Sequence, residues 1–252
     1  MIQIRNVSHT IGSQTILNNI CLDIPQGGIT ALIGPNGAGK STLLSLMARL
    51  QPLQTGSIHY NDLDIRRTPT AELARTLAIF TQDHSIMSRI SVHDLLMFGR
   101  YPYHQGRPGK EDKAVVAMAL QEFQLEPLAH RYLGELSGGQ RQRAMIAMVF
   151  CQSTEYVLLD EPLNNLDMYY ARSLMQLLQR LTHEHRRTTV VVLHDINQAA
   201  AYADFVVAMK NGEVLLQGPP NDVFTPANIK QLFDVDAQVL DYEGKKLIVH
   251  HA

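Results

Sequence analysis

Only two cysteines, Cys21 and Cys151, occur in the 252 residues. So few exclude a disulfide framework, and since each lies in an apolar stretch the expectation is two reduced, buried thiols of a cytosolic protein. Also missing is any apolar run near the roughly 18 to 20 residues that a membrane-spanning helix requires. The opening MIQIRNVSHT alternates like a strand and has none of the regions of a secretory signal. Charge of one sign is lacking as well. With 22 basic and 24 acidic residues the formal net charge is -2, so no broad nucleic-acid footprint is expected and any phosphate must be held in a local site. No internal repeat, low-complexity segment or interdomain linker interrupts the chain. A hydrophobic content of 45% is enough to bury a substantial core.

Short apolar, β-branched runs alternate with helical patterns at Ile29–Ile33, Leu77–Phe80, Tyr156–Leu159, Thr189–Leu193 and Phe205–Met209. That alternation predicts an α/β fold with a largely parallel sheet covered on both faces. TTVVVL reads as a strand buried on both sides. Between about Asp83 and Phe150 the pattern turns mostly helical around a GRYPYHQGRPGK loop, which suggests a helical subdomain over about 83–155 inserted between core segments 1–82 and 156–252. The tail predicts a hairpin of Ala237–Asp241 and Lys245–Val249 turning through Glu243 and Gly244.

Between the first of these runs and a helical stretch lie Gly34, Pro35, Asn36, Gly37, Ala38, Gly39, Lys40, Ser41 and Thr42. This is the phosphate-loop spacing in the strand-to-helix context that its mechanism needs. Glycines allow successive backbone N–H groups to converge on phosphate oxygens, the helix N-terminus adds partial positive charge, and Lys40 meets the β- and γ-phosphates. Ser41 would place its hydroxyl on Mg²⁺. YVLLDEP is a buried strand ending in two carboxylates, an arrangement that calls for a cation or a shared water network. Asp160 would orient Mg²⁺ and Glu161 would polarise the water that attacks the γ-phosphate.

LSGGQ, with Ser137, Gly138, Gly139 and Gln140, opens a second helix able to receive an anion. One ATP does not need two such sites from one chain, so the second suits a nucleotide held by another copy. For Ser137 alone an ordinary N-cap is sufficient. His194 follows VVVL at a strand end, where α/β proteins place ligands, and suits a γ-phosphate contact. The pairs His183 with His185 and His250 with His251 lack i, i+4 spacing and read as solvated surface rather than metal ligands.

Together and in this order, these motifs resemble the ATP-binding subunits of ABC transporters over nearly the whole chain. The resemblance implies a P-loop NTPase core with a mainly parallel sheet, an N-terminal antiparallel β part and the inserted helical subdomain. It further implies that Gln82 in FTQD touches Mg²⁺ and water and relays to a permease, that Asn165-Leu166-Asp167 crosses a dimer interface, and that His194 is the switch histidine. Two copies would sandwich two ATP molecules, each between Gly34–Thr42 of one chain and Ser137–Gln140 with Asp167 of the other. The stretches LLMFGRYPYHQGR, LSGGQRQRAMIAMV and LDEPLNNLDM are most similar to ATPases of bacterial ferric-siderophore importers, catecholate types above all, with cobalamin and haem importers as neighbours.

The partners so implied are an integral membrane permease, docking at Ser85–Tyr103, and indirectly a substrate-binding protein. The place is peripheral, on the cytoplasmic face of the cell membrane. A stand-alone assembly ATPase, of the iron–sulfur scaffold type, is the alternative. Coiled-coil DNA-repair ATPases do not fit, because fewer than a hundred residues separate Lys40 from Ser137 and none form heptads. Twin-cassette ATPases do not fit either, since there is one phosphate loop.

One position departs from the family. Where it usually places an adenine-stacking aromatic before Gly12, this chain has Ile11, which covers a ring face but loses an aromatic contribution on the order of 1 kcal/mol. Nucleotide titrations of the parent and Ile11→Tyr should show tighter ATP binding and a stronger preference for ATP over GTP in the variant; identical affinities and base preference would contradict this role for Ile11.

Overall fold

The computed structural model describes residues 1–81, 89–164 and 166–250. The chain begins with β1 (Ile2–Ile11), β2 (Gln14–Ile24) and β3 (Gly28–Ile33), then α1 (Lys40–Met47), β4 (Ser57–Tyr60) and β5 (Leu63–Asp64). Next come α2 (Thr70–Thr76), β6 (Leu77–Phe80), α3 (Val92–Gly99), α4 (Tyr101–His104), α5 (Lys110–Glu122) and α6 (Gly138–Cys151). They are followed by β7 (Tyr156–Leu159), α7 (Met168–Glu184), β8 (Thr188–Val192) and α8 (Ile196–Tyr202). The chain closes with β9 (Phe205–Lys210), β10 (Glu213–Gly218), α9 (Pro220–Val223), α10 (Pro226–Phe233), β11 (Gln238–Tyr242) and β12 (Lys245–Val249). Among the described residues no helix is long and apolar enough to cross a membrane.

These elements form two compact units, Met1–Thr68 with Gln179–Ala252, and Pro69–Leu178. In the first, an antiparallel sheet runs β2-β1-β4-β5 and buries Ile2, Ile4, Ile20, Leu22 and Ile58 on one face. A second sheet has β3 parallel to both β8 and β9, with β10 antiparallel on β9. Every residue of β8 is buried, as its unbroken TTVVV requires of a parallel strand covered on both faces; the strand starts one residue earlier than its periodicity suggests. The second unit contains the parallel pair β6–β7, in register Leu77 to Tyr156 through Phe80 to Leu159, and the helices α2 to α6.

The tail hairpin turns through Glu243 and Gly244, both with positive φ (50° and 78°), as a two-residue turn matched to strand twist demands. Its first strand lies one residue later than the pattern indicates. Cys151 is buried, but Cys21 is exposed. That corrects the expectation: β2 alternates, and Cys21 falls on its solvent side, where the thiol donates to Asn6 Oδ1 (3.1 Å) and accepts from the Asn6 N–H (3.3 Å).

One ion pair organises the helices of the second unit. Arg100, 2% exposed, follows α3 and donates to Asp112 Oδ1 in the first turn of α5 (3.1 Å), to the Cys151 carbonyl (2.9 Å) and to Ser153 Oγ (3.0 Å). Its guanidinium lies 4.0 Å from the Tyr103 ring centroid. Asp112 accepts from the Gly109 N–H (2.9 Å). That hydrogen bond first, with the guanidinium beside it, holds the Asp112 carboxyl below the usual aspartate range against the opposing effect of burial.

A depressed carboxylate stabilises the fold fully above the ordinary aspartate range and loses that contribution as pH falls through the native value. Asp112→Asn, which strands the guanidinium, should lower unfolding free energy at neutral pH by about 3 kcal/mol. Urea midpoints of parent and variant should converge as pH drops below the ordinary aspartate range; a gap that stays constant into acid would refute the pairing as its source.

Candidate functional site

In the first unit β3 ends in a buried Ile33, and the chain turns through Gly34–Gly39 into α1. Gly34 has φ 146°, and a Cβ there would stand 2.0 Å from the Met209 carbonyl oxygen of β9, so the loop backbone lies directly on the neighbouring strand. Gly37, at φ 79°, has nothing within 4 Å of the same construction: its backbone faces open space, as a cradle for a ligand must. The N-cap residue of α1 is Gly39, with no side-chain cap and no acidic residue in the first turn. Uncapped N–H groups and the helix dipole therefore both favour an anion. Lys40 is 5% exposed, and its ammonium donates to the carbonyls of Gly34 (2.8 Å) and Pro35 (2.9 Å). Ser41 is half-buried beside it, while Asn36 and Gly37 are exposed.

His194 belongs to the same unit. Leu32 of β3 pairs with Val192 of β8, and the Leu193 N–H donates to the Leu32 carbonyl (3.1 Å). Two residues beyond that pairing, one strand reaches Gly34 and the other His194, so parallel register delivers the phosphate loop and the histidine at the same sheet end. His194 is exposed, and Asp195 then caps α8 through the Asn197 N–H (2.8 Å). Ile11 closes β1 at 54% exposure opposite Gln14. β2 then continues through Ile16 and Leu17, whose atoms come within 3.0 Å and 2.6 Å of a Cβ built at Gly39.

In the second unit β7 is buried throughout and the Asp160 N–H extends its ladder by donating to the Phe80 carbonyl (2.9 Å). Asp160 and Glu161 emerge half-buried. Glu161 has φ 51°, a left-handed conformation that costs a residue with a Cβ about 1–2 kcal/mol. It is held there by a turn in which the Asn164 N–H meets the Glu161 carbonyl (3.3 Å) and the Asn164 amide donates to the Glu161 carboxylate. The Pro162 carbonyl accepts from Gln142 Nε2 (2.8 Å). Asn164 and Gln142 are site residues that motif reading passed over; the signal for Asn164 was an amide three residues after the acid, the reach of one turn.

Ser137 caps α6 in a reciprocal box, its Oγ accepting from the Gln140 N–H (3.3 Å) and its N–H donating to Gln140 Oε1 (3.1 Å). Ser137 and Gly138 are exposed. A Cβ on Gly139 would touch Leu166 and Tyr170 at 3.5 and 3.6 Å, so the start of α6 lies against the segment that leads into α7. Asp167 caps α7 through the Tyr170 N–H (2.9 Å). The second unit thus assembles two groups, Asp160 with Glu161, and Ser137–Gln140 near Leu166 and Tyr170. Gln82, Asn165 and the stretch from Ser85 to Ser88 lie outside the described residues. Among the described residues no cluster of three metal-ligating side chains occurs; His183 and His185 are exposed, and His183 Nε2 pairs with Asp204 at 3.0 Å.

A fold of this kind, with a phosphate loop feeding an uncapped helix, is found in known proteins. Residues 17–164 match the family described as ABC transporter. The chain is 42% identical to the petrobactin import ATP-binding protein of Bacillus subtilis, across 99% of both chains. It is 38% identical to the ferric enterobactin transport ATP-binding protein of Escherichia coli, across 94% of this chain and 89% of that one. Among solved structures it is similar to a metal-chelate-type ABC transporter in an inward-facing conformation, with a TM-score of 0.84 and 26% identity over 98% of this chain and 95% of that one. A dimeric ATP-binding cassette in a post-hydrolysis state with ADP and Pi matches with a TM-score of 0.76 and 27% identity over 87% of this chain and 99% of that one.

Proposed function

Because the chain belongs to the ABC transporter family, we propose that it is the ATP-hydrolysing subunit of a bacterial importer that takes up a ferric siderophore through a separate permease. The observation that carries the reading is the phosphate loop itself: a buried Lys40 ammonium and an uncapped α1 N-terminus converge beside a cradle that no side chain fills. Similarity along the full length to petrobactin and enterobactin import subunits supports the cargo class.

Each group in this reading has a definite task. Backbone N–H groups of Gly37–Ser41 bind the β- and γ-phosphates, with Lys40 released from its loop carbonyls toward them. Ile11 covers the adenine. Ser41, with Gln82 and Asp160, would hold Mg²⁺, which would supply positive charge against the negative charge that develops on the transferred phosphate. Glu161 orients the attacking water, its carboxylate fixed by Asn164, and His194 contacts the γ-phosphate. A second copy supplies Ser137, Gly138, Gly139, Gln140 and Asp167 across a two-fold axis. The chain works peripherally on the cytoplasmic face of the membrane, its helical part near 83–155 receiving the permease and its own surface making no contact with cargo.

The permease's docking helix has a suitable receptor in the second unit. Phe98 and Tyr101 are 60% and 54% exposed, and with Met97, Asp94, His104 and Gly106 they line a cavity of about 370 Å³. Exposed aromatics around a hollow suit a partner's apolar helix.

Glu161→Gln should lower ATP hydrolysis by about a hundredfold or more while leaving nucleotide affinity unchanged, and should accumulate an ATP-bound dimer on sizing columns. In cells with redundant importers deleted, this variant should abolish radioactive iron uptake from one siderophore class. Uptake intact for every siderophore and for cobalamin would favour the assembly ATPase instead. Exchange of Ser85–Tyr103 for the segment of an unrelated importer should abolish transport and spare nucleotide binding; transport retained after the exchange would remove this segment from the docking face.

A further inference from the structure

The helix that follows His194 is tied at both ends to a single hairpin. α8 has seven residues, too few to hold its shape by itself, and its first turn begins two residues after the histidine. There the Asn197 side chain behaves like a missing strand. Its Nδ2 donates to the Ile248 carbonyl (3.1 Å) and its Oδ1 accepts from the Ile248 N–H (2.8 Å), which satisfies both backbone groups of one residue in β12. Ile248 is 2% exposed and pairs with Val239 in β11 on its other edge. At the far end of α8, Lys245 Nζ donates to the Ala201 carbonyl and lies 5.4 Å from the Tyr202 ring centroid.

Packing does not duplicate these ties on every side. Ala199 and Ala200 face inward and are buried. Beside the first turn, however, Ile196, Ile229, Phe233, Val235 and Ile248 line a cavity of about 840 Å³ that His194 also borders. Where these side chains face that open hollow no protein atoms pack against them, so part of the dispersion contact that fixes a packed helix is missing on this side. On that side the hydrogen bonds of Asp195 and Asn197 hold the first turn of α8, and with it the path of the chain just after His194.

We propose that Asn197 is a positioning residue for His194, and that the C-terminal hairpin β11–β12 acts through it and Lys245 to set the rate of hydrolysis without setting the affinity for ATP. The proposal rests on the reading of His194 as the γ-phosphate contact. It requires an amide: aspartate could accept from the Ile248 N–H but would turn a carboxylate oxygen toward the Ile248 carbonyl, and alanine would do neither.

The test is hydrolysis kinetics and nucleotide affinity of the full chain carrying Asn197→Ala, Asn197→Asp or Lys245→Met, each alone and combined with His194→Ala. Loss of orientation at a reacting group should lower kcat by about tenfold or more in both Asn197 variants, and less in Lys245→Met. KM and Kd for ATP should stay within about twofold of the parent. In the His194→Ala background the same substitutions should leave the residual rate unchanged, because the group they orient is gone. Parent kcat in the Asn197 variants and in Lys245→Met would overturn the clamp, as would an equal loss of affinity, or the same fold-loss with His194 absent. Should Asn197→Ala fail to fold, Lys245→Met, at an exposed position, carries the comparison. A parent rate in His194→Ala alone would overturn the role of the histidine and the clamp with it, whereas a slow His194→Ala beside silent Asn197 variants would overturn the clamp only.

Discussion

A buried ammonium at the wrong end of a helix is the constraint on which the site depends. Lys40 is the first residue of α1, where the helix dipole is already positive, and local electrostatics would place a cation at the other end. No acidic side chain in the first turn offsets it. The charge is also withdrawn from water, which carries a large penalty unless polar partners replace the solvent. In this structure the Gly34 and Pro35 carbonyls do so, and they can reach Nζ because the loop doubles back over β9 at a glycine that admits no side chain. A sequence that concentrates positive potential so consistently is stable as a binding site for several negative charges, and a polyphosphate supplies them. The local rule is broken where function requires it.

Rigid strands carry the remaining groups. In each unit the same device recurs: a wholly buried apolar strand, then an abrupt polar end. β3 and β8 deliver the loop and His194 at one register, and β6 and β7 deliver Asp160 and Glu161. Because the strands are fixed by their own burial, the chemistry-bearing residues inherit positions better defined than loops alone could provide. Glu161 adds a strained backbone to this, maintained by the turn to Asn164. Strain of that kind persists only where neighbouring contacts over-determine it.

What was legible in the sequence follows from how local each interaction is. The phosphate loop, the acidic strand end and the helix start at Ser137 are short-range patterns, so their spacing alone indicated where they fall; the reciprocal box that Ser137 forms with Gln140 was seen only in the structure. The parallel strands were legible from unbroken β-branched runs, and the tail hairpin from Glu243-Gly244. β6, β7 and β12 fall where their runs place them, while β3, β8, β9 and β11 have one or both ends shifted by one residue because hydrogen-bond register, not composition, sets where a strand stops. Cys21 was misread for a related reason. An apolar neighbourhood in sequence says nothing about which face of an alternating strand a residue takes, and Cys21 takes the outer one. Asn197 and Ile248, 51 residues apart, form a contact that no window of sequence can contain.

The buried pair of Arg100 and Asp112 belongs to this long-range class and explains the GRYPYHQGRPGK stretch. Replacing such a pair with apolar residues is often neutral or stabilising, so stability alone is a weak reason for it. Direction is a better one. Arg100 has donors in a fixed plane, and here they fix the end of α3, the start of α5 and the residues that close α6 relative to one another while Tyr103 stacks on the guanidinium. An apolar core would tolerate sliding among these helices, whereas a fork of hydrogen bonds specifies one arrangement. Phe98 and Tyr101 flank Arg100 in sequence and stay exposed. The ion pair therefore anchors the segment that carries the proposed permease-docking residues, and what it secures is the orientation of that segment, the property a subunit needs if motion at one surface is to be transmitted to a second protein.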